Sequence, residues 1–177
     1  MKTLQIEKIL IRKLQSTYVG VVAKDELPRT PLRPLAIVVN TDPASKPRTH
    51  WMCIYLFSDG TGEFFDTFGR YPDSIVVDYL NKQAQCGWRY NQRRVQSIIS
   101  TLCGGYCLLY LECRNKNRTQ PMSQIVDRLF PYTDPWVNDM RVRRLIQSHY
   151  GVVIPIMDDE FILKSLMRRM KIKYRER

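Results

Sequence analysis

Residues 51–68, WMCIYLFSDGTGEFFDTF, decide the fold. Two runs rich in β-branched and aromatic residues, 51–57 and 63–68, flank Ser58-Asp59-Gly60-Thr61-Gly62, and Asp-Gly is a strong local turn signal between strands. The spacing predicts an antiparallel hairpin with a short loop. A strand of similar composition, 35–40, precedes it across residues 42–47, and 86–91 reads as another short strand. A hairpin also has an open end. His50, immediately before the first strand, and Asp66, at the close of the second, are expected to approach one another there across neighbouring strands.

Around these strands the pattern turns helical. Residues 3–15 set Leu4, Ile6, Ile9, Leu10, Ile11 and Leu14 near helical spacing between basic residues, as in an amphipathic helix that ends before Gly20. Pro28, Pro31 and Pro34 then make 24–34 a loop. The apolar pattern of 73–84 fits either state; its length and the leading Pro72 favour a helix. Residues 104–113 are apolar all round, which predicts a buried helix with Cys103 at its N-terminal edge. Segments 121–130 and 135–149 open on proline, the second capped by Asp134 and stopped by Gly151, and both are expected to pack on the sheet. A last helix is predicted over 158–174, with acids in its first turn and bases in its last. The elements describe one α+β domain, 1–177, with a mixed central sheet of about five strands and helices packed on both sides.

A length of 177 residues suits one domain, and 44% hydrophobic with 25% charged residues excludes global disorder. No apolar run approaches the roughly 18–20 residues that cross a bilayer, so a soluble, non-secreted chain with no membrane partner is expected. Five cysteines are an odd set and too sparse for a disulfide scaffold, which favours a reducing, intracellular compartment. With 28 basic and 17 acidic residues the net charge is +11, which attracts polyanions.

Only two histidines can serve as a base. His149 falls at the end of a predicted helix among basic residues, where an exposed histidine commonly faces the helix dipole. His50 has Asp66 to orient it and Cys103 as its object. A thiol near its ordinary pKa of about 8.5 is only a few per cent ionised at pH 7, and the thiolate is the nucleophile. Lowering that pKa by about three units takes roughly 4 kcal/mol, whereas a helix dipole gives about 0.3–1 and at most about 2. The imidazole is therefore required. Gly104 and Gly105 are expected to leave the approach to Cys103 open, so that a substrate carbonyl reaches sulfur and helix amides. Cys53, Cys107 and Cys113 are expected to be buried. His50, Cys53, Cys103 and Cys107 lack the paired-knuckle spacing of a zinc site, and no metal is expected.

Thr49-His50-Trp51, Phe65-Asp66-Thr67-Phe68-Gly69, Val95-Gln96 and Cys103-Gly104-Gly105-Tyr106-Cys107, in that order, resemble the adenovirus proteinase family, the adenain-like cysteine peptidases, with its relatives in Polinton/Maverick elements and adintoviruses. The resemblance runs from about Gly20 to Leu111. It implies a papain-like-clan cysteine protease related to the adenain and SUMO-protease architecture. Cys103 would be nucleophile, His50 general base, Asp66 third member, Gln96 the oxyanion-hole donor, and Trp51 part of the substrate site with Gly104 and Gly105. It implies cleavage after glycine in small-residue sites of viral capsid precursors, with no cofactor needed for the chemistry. An activating peptide, disulfide-linked to Cys86, and DNA are its implied regulators; in a virus the location would be host nucleus and virion.

Candidate DNA contacts are Arg89, Arg93, Arg94, Arg141, Arg143 and Arg144, with Arg168, Arg169, Lys171 and Lys173 of the C-terminal run. Two other functions suit the same residues. One is a ubiquitin- or SUMO-like deconjugating isopeptidase, whose order His, Asp, Cys is the same. The other is a basic nucleic-acid-binding virion protein without activity.

Overall fold

The computed structural model describes residues 3–46 and 49–154. In chain order the elements are α1 (Thr3–Leu14), β1 (Tyr18–Ala23), β2 (Leu35–Asn40), β3 (Trp51–Leu56), β4 (Gly62–Phe65), α2 (Ser74–Gln83), β5 (Trp88–Tyr90), α3 (Cys103–Lys116), α4 (Met122–Leu129) and α5 (Pro135–Tyr150). The five strands lie in one sheet in the order of the chain. The outer pairs β1–β2 and β4–β5 are parallel, and the inner pairs β2–β3 and β3–β4 antiparallel. The predicted hairpin is β3–β4, with Cys53 opposite Phe65 at its open end and Leu56 opposite Gly62 near its tip.

Strands β2 and β3 are buried along their whole length because both sheet faces are covered. Ala36, Val38, Cys53, Tyr55 and Phe65 face α1 and α3. Leu35, Ile37, Val39, Met52, Ile54, Leu56 and Phe64 meet Val76, Tyr79 and Leu80 of α2 on the other side. Alternation along a strand distributes the apolar run between two cores, each fully buried side chain contributing about 1.5–3 kcal/mol. Helix α3 is apolar all round because the sheet, α1, α4 and α5 surround it. Its one buried charge, Arg114, pairs with Glu63 of β4, Nη2 to Oε1 at 3.0 Å.

Four sequence expectations change here. Strand β1 was not foreseen; it is an edge strand interrupted by Gly20, which blurs the alternation. Cys86 lies in the turn before β5, not on the strand, and is exposed. Helices α4 and α5 pack chiefly on α3, because the sheet face beneath is already covered by α1 and α3. Cys113 is only half-buried, on the side of α3 that meets Arg128. Asp134 caps α5 through the Trp136 amide and Gly151 ends it, as the sequence predicts. The helix expected over 158–174 lies outside the described residues. Among those described, no helix is long and apolar enough to cross a membrane.

Candidate active site

The open end of the hairpin gathers the chemistry. His50 enters β3 and Asp66 follows β4, so antiparallel pairing carries them together: His50 Nε2 lies 2.6 Å from Asp66 Oδ1. This contact takes one ring nitrogen and leaves Nδ1 for another partner. Cys103, the first residue of α3, is that partner, since His50 and the Cys103 thiol are hydrogen-bonded. All three side chains are buried.

Burial opposes charge on each group, yet the neighbours win. Burial would raise the Cys103 thiol, but the hydrogen bond and charge of His50 and the N–H groups of Trp51 and Gly104 hold it below its ordinary value. Burial would depress His50, while Asp66 and Cys103 together raise it to about 8. Asp66 stays below the usual carboxylate range despite burial, because His50 and Arg70 face it. The arrangement favours a thiolate beside an imidazolium at neutral pH.

The turn after β4 builds the support. Phe68 N donates to Asp66 Oδ1 at 3.2 Å, Arg70 Nε donates to Oδ2 at 3.0 Å, and the Phe68 ring lies 4.8 Å from that of His50. Gly69 closes the turn with φ of 68°, and a Cβ there would stand 2.7 Å from the Gln92 carbonyl oxygen. Asn91 fixes the backbone of Asp66 from both sides, accepting its N–H at 2.9 Å and donating to its C=O at 2.7 Å. None of Phe68, Arg70 and Asn91 was singled out from the sequence for these roles. Arg70, four residues beyond Asp66, carried the one local signal.

Gln96 reaches the same region through the loop between β5 and α3. Val95 N and Gln96 N both donate to the Thr67 carbonyl, at 2.8 and 3.2 Å, which ties the loop to the residue after Asp66. The side chain is buried; its Oε1 accepts from Thr67 Oγ1 at 2.6 Å and its Nε2 donates to the Ser100 carbonyl at 3.0 Å. A carbonyl can only accept, so Ser100 settles which end of the amide is NH₂. One of the two amide protons is thereby used.

The remaining candidates fall elsewhere. Trp51 belongs to the core beside α3 and not to an open cleft. Gly104 and Gly105 do not clear a path to the sulfur. A Cβ on Gly104 would sit 2.4 Å from Ile6 Cδ1 of α1, and one on Gly105 would pack 3.4 Å from Ile146 Cγ1 of α5. Gly104 lets α1 approach α3, a Cβ on Gly105 would make only ordinary contact with α5, and the Gly104 N–H still serves the thiol. Cys86 N donates to the Gly60 carbonyl at 3.0 Å at the hairpin tip, so this free cysteine stands at the opposite end of β3–β4 from Cys103. Cys53 and Cys107 are buried as expected. Among the described residues no group of three or more His, Cys, Asp and Glu is disposed to hold a metal ion.

Of the basic candidates, Arg93 binds the Val126 and Phe130 carbonyls at 3.4 and 2.7 Å and the Asp127 carboxylate at 3.0 Å. Arg141 donates to the Leu129 carbonyl at 3.0 Å. Arg93 at the Phe130 carbonyl and Arg141 at the Leu129 carbonyl close the C-terminal end of α4, so both are caps of that helix and not free cations. Arg89 faces Glu63 at 3.4 Å and Arg143 lies by Met140 and Asp139. Arg94 and Arg144 are exposed. Arg168, Arg169, Lys171 and Lys173 lie outside the described residues.

No protein-family model matches the chain, and no curated protein does. Among solved structures, the ASFV pS273R protease aligns at 18% identity and a TM-score of 0.57, over 80% of this chain and 65% of that one. The central domain of the uncharacterized Lpg1148 protein from Legionella pneumophila aligns at 15% identity and a TM-score of 0.52, over 86% of this chain and 98% of that one. The chain thus has the α+β fold of a viral protease and spans 65% of that protease's length.

Proposed function

We propose that this chain is a cysteine endopeptidase that cleaves after glycine in small-residue sites of viral or virus-like capsid precursors. The observation that carries the reading is the chain of contacts from Asp66 through His50 to the thiol at the start of α3. Similarity of fold to a viral protease supports the same chemistry. The glycine preference and the precursor substrates come from the resemblance of the motifs around His50, Asp66, Gln96 and Cys103.

In the mechanism His50 takes the thiol proton on Nδ1 and Asp66 holds the imidazolium through Nε2. The Cys103 sulfur attacks the scissile carbonyl carbon. The remaining Gln96 amide proton and the N–H of Cys103 receive the developing oxyanion, one such donor contributing about 10²–10³ in rate. His50 returns its proton to the leaving amine, and water, activated by the same ring, releases the acyl group as a carboxylic acid. The test is Cys103→Ala with a glycine-containing precursor peptide, read by mass spectrometry of the products. Cleavage is expected to vanish while circular dichroism is unchanged; cleavage that survives refutes the assignment.

A further inference from the structure

Asp139 of α5 is buried, was not singled out in the sequence, and touches neither His50 nor Cys103 in any contact described above, yet three donors converge on it. Ser97 N donates to Oδ2 at 3.2 Å, Tyr106 Oη to Oδ1 at 2.8 Å, and the Ser100 hydroxyl is a further hydrogen-bond partner. Ser97 and Ser100 are the two ends of one turn, closed by Ser100 N donating to the Ser97 carbonyl at 3.1 Å. That turn follows Gln96 directly, and the Ser100 carbonyl is the group that accepts one Gln96 amide proton. Tyr106 sits one turn into the helix that Cys103 begins, and its hydroxyl also lies 3.0 Å from the Val95 carbonyl.

We propose that Asp139 is a positioning residue for the oxyanion-hole side chain: its carboxylate bolts the Ser97–Ser100 turn to the nucleophile's helix and so aims the Gln96 amide. The inference rests on the peptidase reading for its kinetic consequence, but not for its geometry. A carboxylate has only acceptors to offer, and three donors use them. Protonation on Oδ1 would reverse the Tyr106 contact, that hydroxyl then donating to the Val95 carbonyl, and would take the charge from the Ser97 and Ser100 contacts, which weakens the hold on the turn.

The groups facing Asp139 are Tyr106 of α3, Ser97 and Ser100 of the loop, and Arg143 of its own helix. Burial pushes its carboxyl up to about 6, against the hydrogen bonds of Tyr106, Ser97 and Ser100 and the charge of Arg143. The carboxylate form therefore prevails above about pH 6 and is lost below it. His50 titrates near 8, so the two events are separable.

The experiment follows the Gln96 side-chain amide resonances by ¹H–¹⁵N NMR from pH 5 to 9 in the full chain. In wild type a midpoint near 6 is expected beside one near 8, and Asp139→Asn is expected to remove only the first. Gln96 resonances without a midpoint near 6 in wild type, which needs no variant to fold, overturn the proposal whatever the chain hydrolyses. The kinetic arm is a double-mutant cycle. Asp139→Asn is expected to lower kcat roughly tenfold with KM nearly unchanged, and to add little to the loss caused by Gln96→Ala. Losses that multiply overturn the proposal, whereas a wild-type chain that hydrolyses nothing counts against the peptidase reading and leaves the NMR arm to decide on Asp139.

Discussion

Glu63 and Asp66 stand three residues apart at opposite ends of the second hairpin strand, Glu63 near the tip and Asp66 at the open end, each only 1% exposed, and their environments drive them in opposite directions. Burial pushes Glu63 above the ordinary carboxylate range in spite of Tyr110, Arg114 and Arg89. Asp66 is held below that range by His50 and Arg70 although it too is buried. The difference is position: Glu63 points under α3 into the core, where Arg114 is its counter-ion, and Asp66 sits at the rim, against a ring that can itself take a proton. A buried carboxylate opposite an arginine, which keeps its charge, can only brace the fold. One opposite a histidine can follow a proton through a reaction. The two carboxylates thus mark a lock near the end of α3, at Arg114, and the candidate site at its beginning, at Cys103.

The largest effect expected separates the two carboxylates by activity. Asp66→Asn should lower kcat per folded molecule by about 10³–10⁴, because the ring loses the group that fixes its tautomer and supports its charge, and should lower Tm as well because a buried ion pair is broken. A fluorogenic peptide assay beside a thermal melt measures both. Equal loss in Glu63→Gln would erase the distinction. Next is the lock. Arg114→Met strands the Glu63 carboxylate in the core, and removing one partner of a buried ion pair costs about 3–5 kcal/mol. Urea unfolding should show that loss while kcat per folded molecule holds. Replacing both Glu63 and Arg114 by methionine should recover most of it, since apolar packing then takes the place of two desolvated charges.

The pH dependence sharpens the contrast further. His50 is raised from 6.5 to about 8, so its ion pair contributes stability that is complete below 6.5 and lost as pH rises through 8. The peptidase rate should share that alkaline limb near 8, where imidazolium and thiolate cease to coexist. In Asp66→Asn the limb should move down, because the largest of the groups that raise His50 is gone. An unmoved limb would mean that the rate reports some other group.

The hairpin and its neighbours were legible from the sequence because alternation and the Asp-Gly turn are local signals. His50 and Asp66 were legible with them, since pairing register alone brings them together. Cys103 was legible from an apolar helix with a cysteine at its start. Gln96 was not; by composition it is a polar loop residue, and only the resemblance marked it before its burial against Thr67 and Ser100 was seen. Asn91, Arg93 and Asp139 could not be read at all. Their roles are made by contacts across 25 to 42 residues of chain, with backbone groups whose positions no spacing encodes. The misreading of Gly104 and Gly105 as an open approach has the same origin, because what a missing side chain does depends on which neighbour arrives: Ile6 crowds Gly104, and Ile146 would meet a Cβ on Gly105 in ordinary contact.

The smallest effect concerns the two exposed arginines that each carboxylate also meets. Arg70 is 59% exposed and 3.0 Å from Asp66; Arg89 is 57% exposed and 3.4 Å from Glu63. Water and salt screen both, so each pair contributes no more than about 1 kcal/mol. Their consequences should still differ. Arg70 helps to keep Asp66 ionised, so Arg70→Ala should raise the carboxyl's pKa by less than about one unit and move the acid limb of the rate upward by no more than that, with kcat at pH 7.5 unchanged. Arg89→Ala should change neither limb, since Glu63 keeps Arg114 and takes no part in proton transfer. A rate profile of each variant and of wild type at about 50 mM and 500 mM salt decides it: the difference between Arg70→Ala and wild type should shrink at high salt, which screens the contact, and an Arg89 effect of equal size would show that the two carboxylate sites are one electrostatic unit.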